Sequence, residues 1–185
     1  MGFEEYHYPA NTTLYSSLSG RTYYEGSDGW TTELRSNFEE QGSVACSVGK
    51  AFAGEKSFSY SFTPSVGLVA GELQGLSIGL NASLAYKGLS LSSFIQQVSS
   101  FGTKKTGLIF SWWELNYKLM KHLNAGLVLQ QTCFNYGSNS WDPGAQLSFS
   151  IGSWSFPVYL FKPANGQCYL VAGLCREWKI RKDRF

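Results

Sequence analysis

The sequence is poor in charge. Its 13 acidic and 15 basic residues make up 15% of 185, against roughly a quarter in an ordinary soluble domain. A net charge of +2, with no basic block interleaved with aromatics, excludes the electrostatic footprint of a nucleic-acid binder. Histidine is scarce, at two residues, so there is little material for general acid–base or metal chemistry. The chain carries no phosphate loop, no nucleophile motif and no zinc motif. The expectation is therefore no enzyme, no cofactor and no metal. No apolar run reaches the roughly 18 residues of a membrane-spanning helix. The four cysteines (Cys46, Cys133, Cys168, Cys175) match no redox or metal spacing. They are read as free, with one cross-strand disulfide as the alternative in an oxidising compartment.

Aromatic residues and glycine are abundant: 16% of the chain is Phe, Trp or Tyr, and Gly numbers 20. Mean hydropathy is nevertheless near zero, at −0.16. Such a balance arises when apolar residues alternate with small polar ones, so that the average cancels.

The order of the residues bears this out. Leu76, Ile78, Leu80, Ala82, Leu84 and Tyr86 fall on one face of a period-2 segment, with Ser77, Gly79, Asn81, Ser83 and Ala85 on the other. Alternation of this kind specifies a strand. Its length exceeds the average of about 5–6 residues and matches the 9–11 of a tilted membrane strand. The polar face is too small and uncharged for a surface in water, and suits a narrow barrel interior.

The pattern recurs. Ile109, Trp113, Leu115 and Tyr117 oppose Phe110, Trp112, Glu114 and Asn116. After a basic turn over 118–122, Leu123, Ala125, Leu127 and Leu129 oppose Asn124, Gly126, Val128 and Gln130. Ala145, Leu147, Phe149 and Ile151 alternate with Gln146, Ser148 and Ser150, and Trp154, Phe156, Val158 and Leu160 follow. Upstream, 43–53 and 57–71 read as strands, with Val44, Cys46 and Val48, then Phe58, Tyr60, Phe62, Val66 and Leu68, on their apolar faces. Pro64 predicts a bulge or bend, and the slip at Ser92-Ser93 a second bulge. Short turns (87–88, 118–122, 152–153) alternate with longer Gly/Asn/Ser/Pro loops (135–143, 162–167), as in barrels with short periplasmic turns and longer outer loops.

Nine strands are counted from Ser43 onward. One more, drawn from 12–38, makes an even ten, with eight as the alternative. The expected organisation is an N-terminal extension over 1–11 and a single antiparallel up-and-down transmembrane β-barrel over 12–185. The opening Met1-Gly2-Phe3-Glu4-Glu5 lacks the basic and apolar regions of an export signal, so one is expected to be removed ahead of Met1.

The long alternating hairpins, the tight turn after Tyr117 and the terminal Phe185 resemble small bacterial outer-membrane β-barrel proteins. The run Ser111-Trp112-Trp113-Glu114-Leu115 followed by Ala125 to Thr132 resembles an uncharacterised family of that class. The resemblance implies an outer-membrane location, surrounding lipid and lipopolysaccharide as partners, assembly machinery that reads the aromatic C-terminus, and loops free for a protein partner. The basic residues Lys179, Arg181, Lys182 and Arg184 are read as a solvated tail, with anionic headgroups as the functional alternative.

The candidate binding residues are those of the lumen: Asn81, Glu114, Asn116, Gln130, Gln146 and Arg176. A carboxylate inside a barrel must be paired or hydrated, so Arg176 or Lys87 is expected to pair with Glu114, and Gln130 to donate to it. The function expected is a structural or interaction protein, or a narrow channel with a plugged polar lumen. Two other readings compete. One is a soluble closed barrel with Leu76, Ile78 and Leu80 lining an apolar ligand cavity. The other is a lipid-modifying membrane enzyme, against which the scarcity of histidine weighs. A metal site at His7 with Glu4 and Glu5 is the weakest candidate.

Overall fold

A computed structural model describes residues 1–9, 17–38, 41–101, 107–134, 137–163 and 168–178. The described residues contain no helix. They form β1 (Gly2–Tyr8), β2 (Ser17–Glu25), β3 (Trp30–Ser36), β4 (Ser43–Lys50), β5 (Phe52–Glu55), β6 (Ser59–Gly71), β7 (Gly75–Tyr86), β8 (Leu89–Ser100), β9 (Leu108–Met120), β10 (Leu123–Phe134), β11 (Ser138–Ile151), β12 (Trp154–Phe161) and β13 (Tyr169–Glu177).

Apart from β4 and β5, which both pair with β6, each strand pairs antiparallel with its neighbour in sequence; β13 returns to pair with β1, and the β4–β6 pairing closes the ring. Between β4 and β6 the ladder runs to Gly49 opposite Ser65; β5 resumes in the same register with Phe52 opposite Phe62. The lapse falls opposite Pro64, which has no N–H to give to a ladder. Among the described residues this is a closed barrel of twelve strands, with the short β5 as a thirteenth continuing the line of β4.

Four expectations are corrected here. The barrel has twelve strands around it, not ten or eight. The three beyond the nine counted from Ser43 are β1, β2 and β3. Residues 2–8 are not an extension, because β1 is hydrogen-bonded along both edges, to β13 and to β2. Neither Pro64 nor Ser92-Ser93 bulges its own strand: β6, β7, β8 and β9 stay in register through both. The register shift falls instead between Leu123 and Asn124, beside the turn. The loop expected over 135–143 is mostly strand, since β11 already pairs Trp141, Asp142 and Pro143 with β10.

The turns sort by end. Residues 26–29, 56–58, 87–88, 121–122 and 152–153 join strands at the end that also holds Met1 and Trp178, whose backbones hydrogen-bond. Lys87 and Gly88 both have positive φ (45° and 86°), the geometry whose twist matches a two-residue hairpin. The segments at the other end include the longer ones.

The apolar stripes face outward. Ile78 is 67% exposed, Leu127 63%, Leu147 53% and Leu84 43%, while Ser77 and Gln146 on the opposite faces are buried. The soluble-barrel alternative required these stripes inside and is overturned by this placement. Tyr24, Trp30, Tyr60, Tyr86 and Tyr117 stand exposed toward the short-turn end, where amphipathic rings sit at a membrane interface.

Candidate functional site

Two apolar clusters fill much of the interior toward the longer-loop end. One joins Ala45, Val69, Leu73, Val98 and Leu108, with Phe110 and Phe134 against it. The other joins Val128, Tyr159, Phe161 and Val171, with Tyr6, Tyr8, Trp112 and Tyr169. A cavity of about 1770 Å³ lined by every strand opens at the short-turn end and reaches beside these clusters as far as Tyr8, Asn37 and Gln41 toward the other end. Hydroxyls dominate one wall: Ser59, Ser61, Thr63, Ser83, Ser90 and Ser92 all line it, and Ser61 and Ser83 lie 2.8 Å apart, oxygen to oxygen.

At the junction of the two halves, side chains meet across the barrel. Tyr6 on β1 approaches Trp112 on β9 with ring centroids 6.4 Å apart. Tyr159 packs edge-on against the same indole at 5.1 Å. Arg35 on β3 reaches β8, donating to Gln96 Oε1 at 3.0 Å, with its guanidinium 4.6 Å from the centre of the Phe94 ring. β1–β3 carry alternating charge along this wall: Arg21 pairs with Glu4 at 3.2 Å and Glu33 at 2.6 Å, and Arg35 with Glu33 at 2.9 Å. Arg35 is 3% exposed; a guanidinium buried so deeply persists only when paired. Nearer the longer-loop end, Lys162 pairs with Asp142 at 2.7 Å, and Tyr169 donates to the same carboxylate at 2.8 Å.

Opposite the charged wall stands Glu114. Its carboxylate accepts from the Trp112 indole N–H at 2.8 Å, the Tyr159 hydroxyl at 2.9 Å and Asn116 Nδ2 at 3.2 Å, with Gln146 Nε2 at 3.5 Å. Gln146 also donates to Asn116 Oδ1. The register explains this meeting: Gly126 is paired with Asn116 on one side and Gln146 on the other. A Cβ on Gly126 would meet the Asn116 side chain and the Leu115 carbonyl, so only glycine lets the two amides share the space. A Gly126→Val chain is expected to lose the Asn116–Gln146 contact and about 1–3 kcal/mol of stability, as overpacked sites do. Urea unfolding in lipid vesicles measures this, and an unchanged midpoint would contradict the packing described.

Of the expected lumen residues, the fold brings Glu114, Asn116, Gln130 and Gln146 together along the cavity wall, and Asn81 lines the same cavity from β7. Arg176 is misplaced by the sequence reading. Cys175 and Glu177 line the cavity, so alternation turns Arg176 outward, where its guanidinium lies 4.8 Å from the Trp154 ring centre and 5.4 Å from that of Trp178. Lys87 stays in its turn, over the Tyr86 ring. The expected ion pair to Glu114 is therefore replaced by neutral donors, and its expected donor Gln130 by Gln146. Sequence reasoning missed Tyr159 and Tyr6, which reach this region from β12 and β1 and share no local pattern with β9. It also missed the inward Val98, Leu108 and Phe161.

His7 is exposed and Glu5 with it, while Glu4 faces the cavity, so the three do not converge. His122 sits in its turn, its ring 6.4 Å from that of Phe149. All four cysteines are free. The C-terminal basic residues and Phe185 lie outside the described residues.

No protein-family model matches the chain, and no curated protein matches it in sequence. Solved structures do resemble it. A structure titled "KdgM porin" superposes with a TM-score of 0.65 at 14% identity, covering 97% of this chain and 100% of that one. The same porin "in complex with disordered oligogalacturonate" gives 0.62 at 14% identity over 97% and 100%. A NanC porin gives 0.64 at 8% identity, covering 96% and 100%. At these identities the likeness is one of fold: a small closed antiparallel barrel of the kind porins have.

Proposed function

We propose that this barrel is an integral protein of the bacterial outer membrane and acts as a narrow channel for small hydrophilic solutes, with a lumen constricted partway along. The observation that carries the reading is the division of faces. A belt of exposed Leu, Ile, Val and Phe surrounds a cavity lined by hydroxyls, amides and paired charges, and such a belt is stable in acyl chains and costly in water. Twelve strands lie between the eight whose interior side chains can fill and the sixteen or more that leave a wide aqueous pore. The contacts from Tyr6 to Trp112 and from Arg35 to Gln96 are where the passage narrows.

On this reading the barrel's partners are outer-membrane lipid and lipopolysaccharide around the belt and the assembly machinery that inserts such proteins. Loops at the longer-loop end are the surface for any protein partner. Catalysis is not part of the proposal. Both histidines lie away from the cavity, and Glu114 is engaged by neutral hydrogen-bond donors rather than a base or nucleophile.

The oligogalacturonate of the similar porin is a polyanion and is not carried over. Beyond its paired groups, this cavity holds Glu114 with no cation bound to it among the described residues. Recording in planar bilayers tests the proposal. Refolded protein is expected to give small, discrete conductance steps. Protein that stays soluble and monodisperse without detergent and gives no steps contradicts it.

A further inference from the structure

Deep in the lumen the charges cancel, except at one place. Arg21 and Arg35 answer Glu4 and Glu33, and Lys162 answers Asp142. At the short-turn mouth, Lys56, Lys87 and Lys118 share the lining with Glu25, Glu55 and Glu177. Among the described residues Glu114 alone remains, held by four neutral donors.

Beyond the donors on Glu114 itself, its surroundings carry acceptors without partners. The amide oxygens of Gln130 and Gln146 are buried without a hydrogen-bond partner, although both side chains line the cavity. Gln146 is 5% exposed, and its own N–H groups are committed to Glu114 and Asn116. A buried acceptor left unpaired costs free energy that a ligand can recover by donating to it. The aromatic faces of Trp112, Tyr159 and Tyr6 crowd the same chamber, and such faces attract cations.

We infer that the chamber around Glu114, Gln130 and Gln146 is a binding site for a small organic ammonium ion, and that it makes the channel cation-preferring. An ammonium supplies three donors and no acceptor, which answers one carboxylate and two orphaned amide oxygens. A carboxylate or phosphate solute meets an anion and further acceptors, and is repelled. A neutral polyol supplies donors but leaves the charge of Glu114 unanswered. The inference rests on the channel reading for its consequence in transport; the binding itself does not.

The test uses the whole refolded chain and ethylammonium chloride as the probe. Titration calorimetry in detergent micelles is expected to show ethylammonium binding, weakened about tenfold or more in Glu114→Gln, as befits loss of a charge-assisted contact. Glu114→Asp keeps the charge and is expected to retain binding. In bilayers under a potassium chloride gradient, the native chain is expected to favour potassium over chloride, with ethylammonium reducing the current. Glu114→Gln is expected to lose both properties. A chain that binds ethylammonium but passes no current keeps the site and overturns the channel. A chain that conducts without cation preference and binds no ethylammonium overturns the site and keeps the channel. Binding of methyl glucoside in place of ethylammonium also overturns the site.

Discussion

A Leu127→Arg chain is expected to fail to insert stably into lipid vesicles, while Gln146→Ala inserts. Leu127 lies near the middle of β10 and is 63% exposed on the outer face. In water, a charge at an exposed leucine changes stability by only about half a kcal/mol. In acyl chains, arginine near the midplane of a barrel costs roughly 2–4 kcal/mol. The same substitution is therefore nearly neutral in one solvent and costly in the other. Equilibrium urea unfolding of the vesicle-bound protein measures the difference, and a Leu127→Arg chain as stable as the native one would contradict the membrane assignment.

Trp112→Ala is expected to have the largest effect on the lumen. The indole sits between Tyr159 at 5.1 Å and Phe161 at 5.4 Å, and faces Tyr6 from the far wall. It also donates to Glu114. Its removal takes out a bulky group where Tyr6 and Tyr159 meet it inside the barrel, and on the proposed channel reading is expected to raise single-channel conductance. The cost in stability is about 3 kcal/mol, the low end for truncating a large aromatic, because water in the adjoining cavity relaxes into part of the space. A structural plug with no passage would show the stability loss with conductance still absent.

Much of this architecture was legible in the chain because lipid imposes a strict period. From Ser43 onward the outer face must be apolar and the inner face small or polar, so Leu76–Tyr86 and Leu123–Gln130 announce both their strands and their orientation. That constraint relaxes in β1–β3. Glu5 and His7 on β1, Thr22 on β2 and Thr32 on β3 interrupt the outward faces, between Leu18 and Tyr24 and between Trp30 and Leu34, so the apolar stripe is broken there, and two of the three strands escape the count. β11 begins in Ser-Asn-Ser-Trp-Asp-Pro, whose composition reads as a turn although its backbone is paired.

The site was legible where a single strand or hairpin carries it. Glu114 and Asn116 alternate with an obvious apolar face, and Gln130 and Gln146 follow from the next two strands. Arg176 was assigned to the wrong face because Cys175, Arg176 and Glu177 are polar on both sides and set no phase. The apolar filling is hidden for a related reason: near the longer-loop ends Leu108 and Phe161 point inward beside the apolar Ile109 and Leu160, which erases the period, and Val98 points inward between Gln97 and Ser99, which inverts it. Contacts across the barrel, such as Tyr6 to Trp112, depend on closure of the whole ring and have no local signature.

The orientation of the two faces is tested most directly by nitroxide labels at single cysteines, after Cys46, Cys133, Cys168 and Cys175 are replaced by serine. Labels introduced through Ile78→Cys, Leu127→Cys and Leu147→Cys are predicted to collide with lipid-dissolved oxygen and to be shielded from a water-soluble nickel chelate. Labels at Ser61→Cys, Ser83→Cys and Ser92→Cys are predicted to show the reverse. Nickel access at 78, 127 and 147 with oxygen access at 61, 83 and 92 would mean that the apolar stripes do not meet lipid, and would contradict the account at its root.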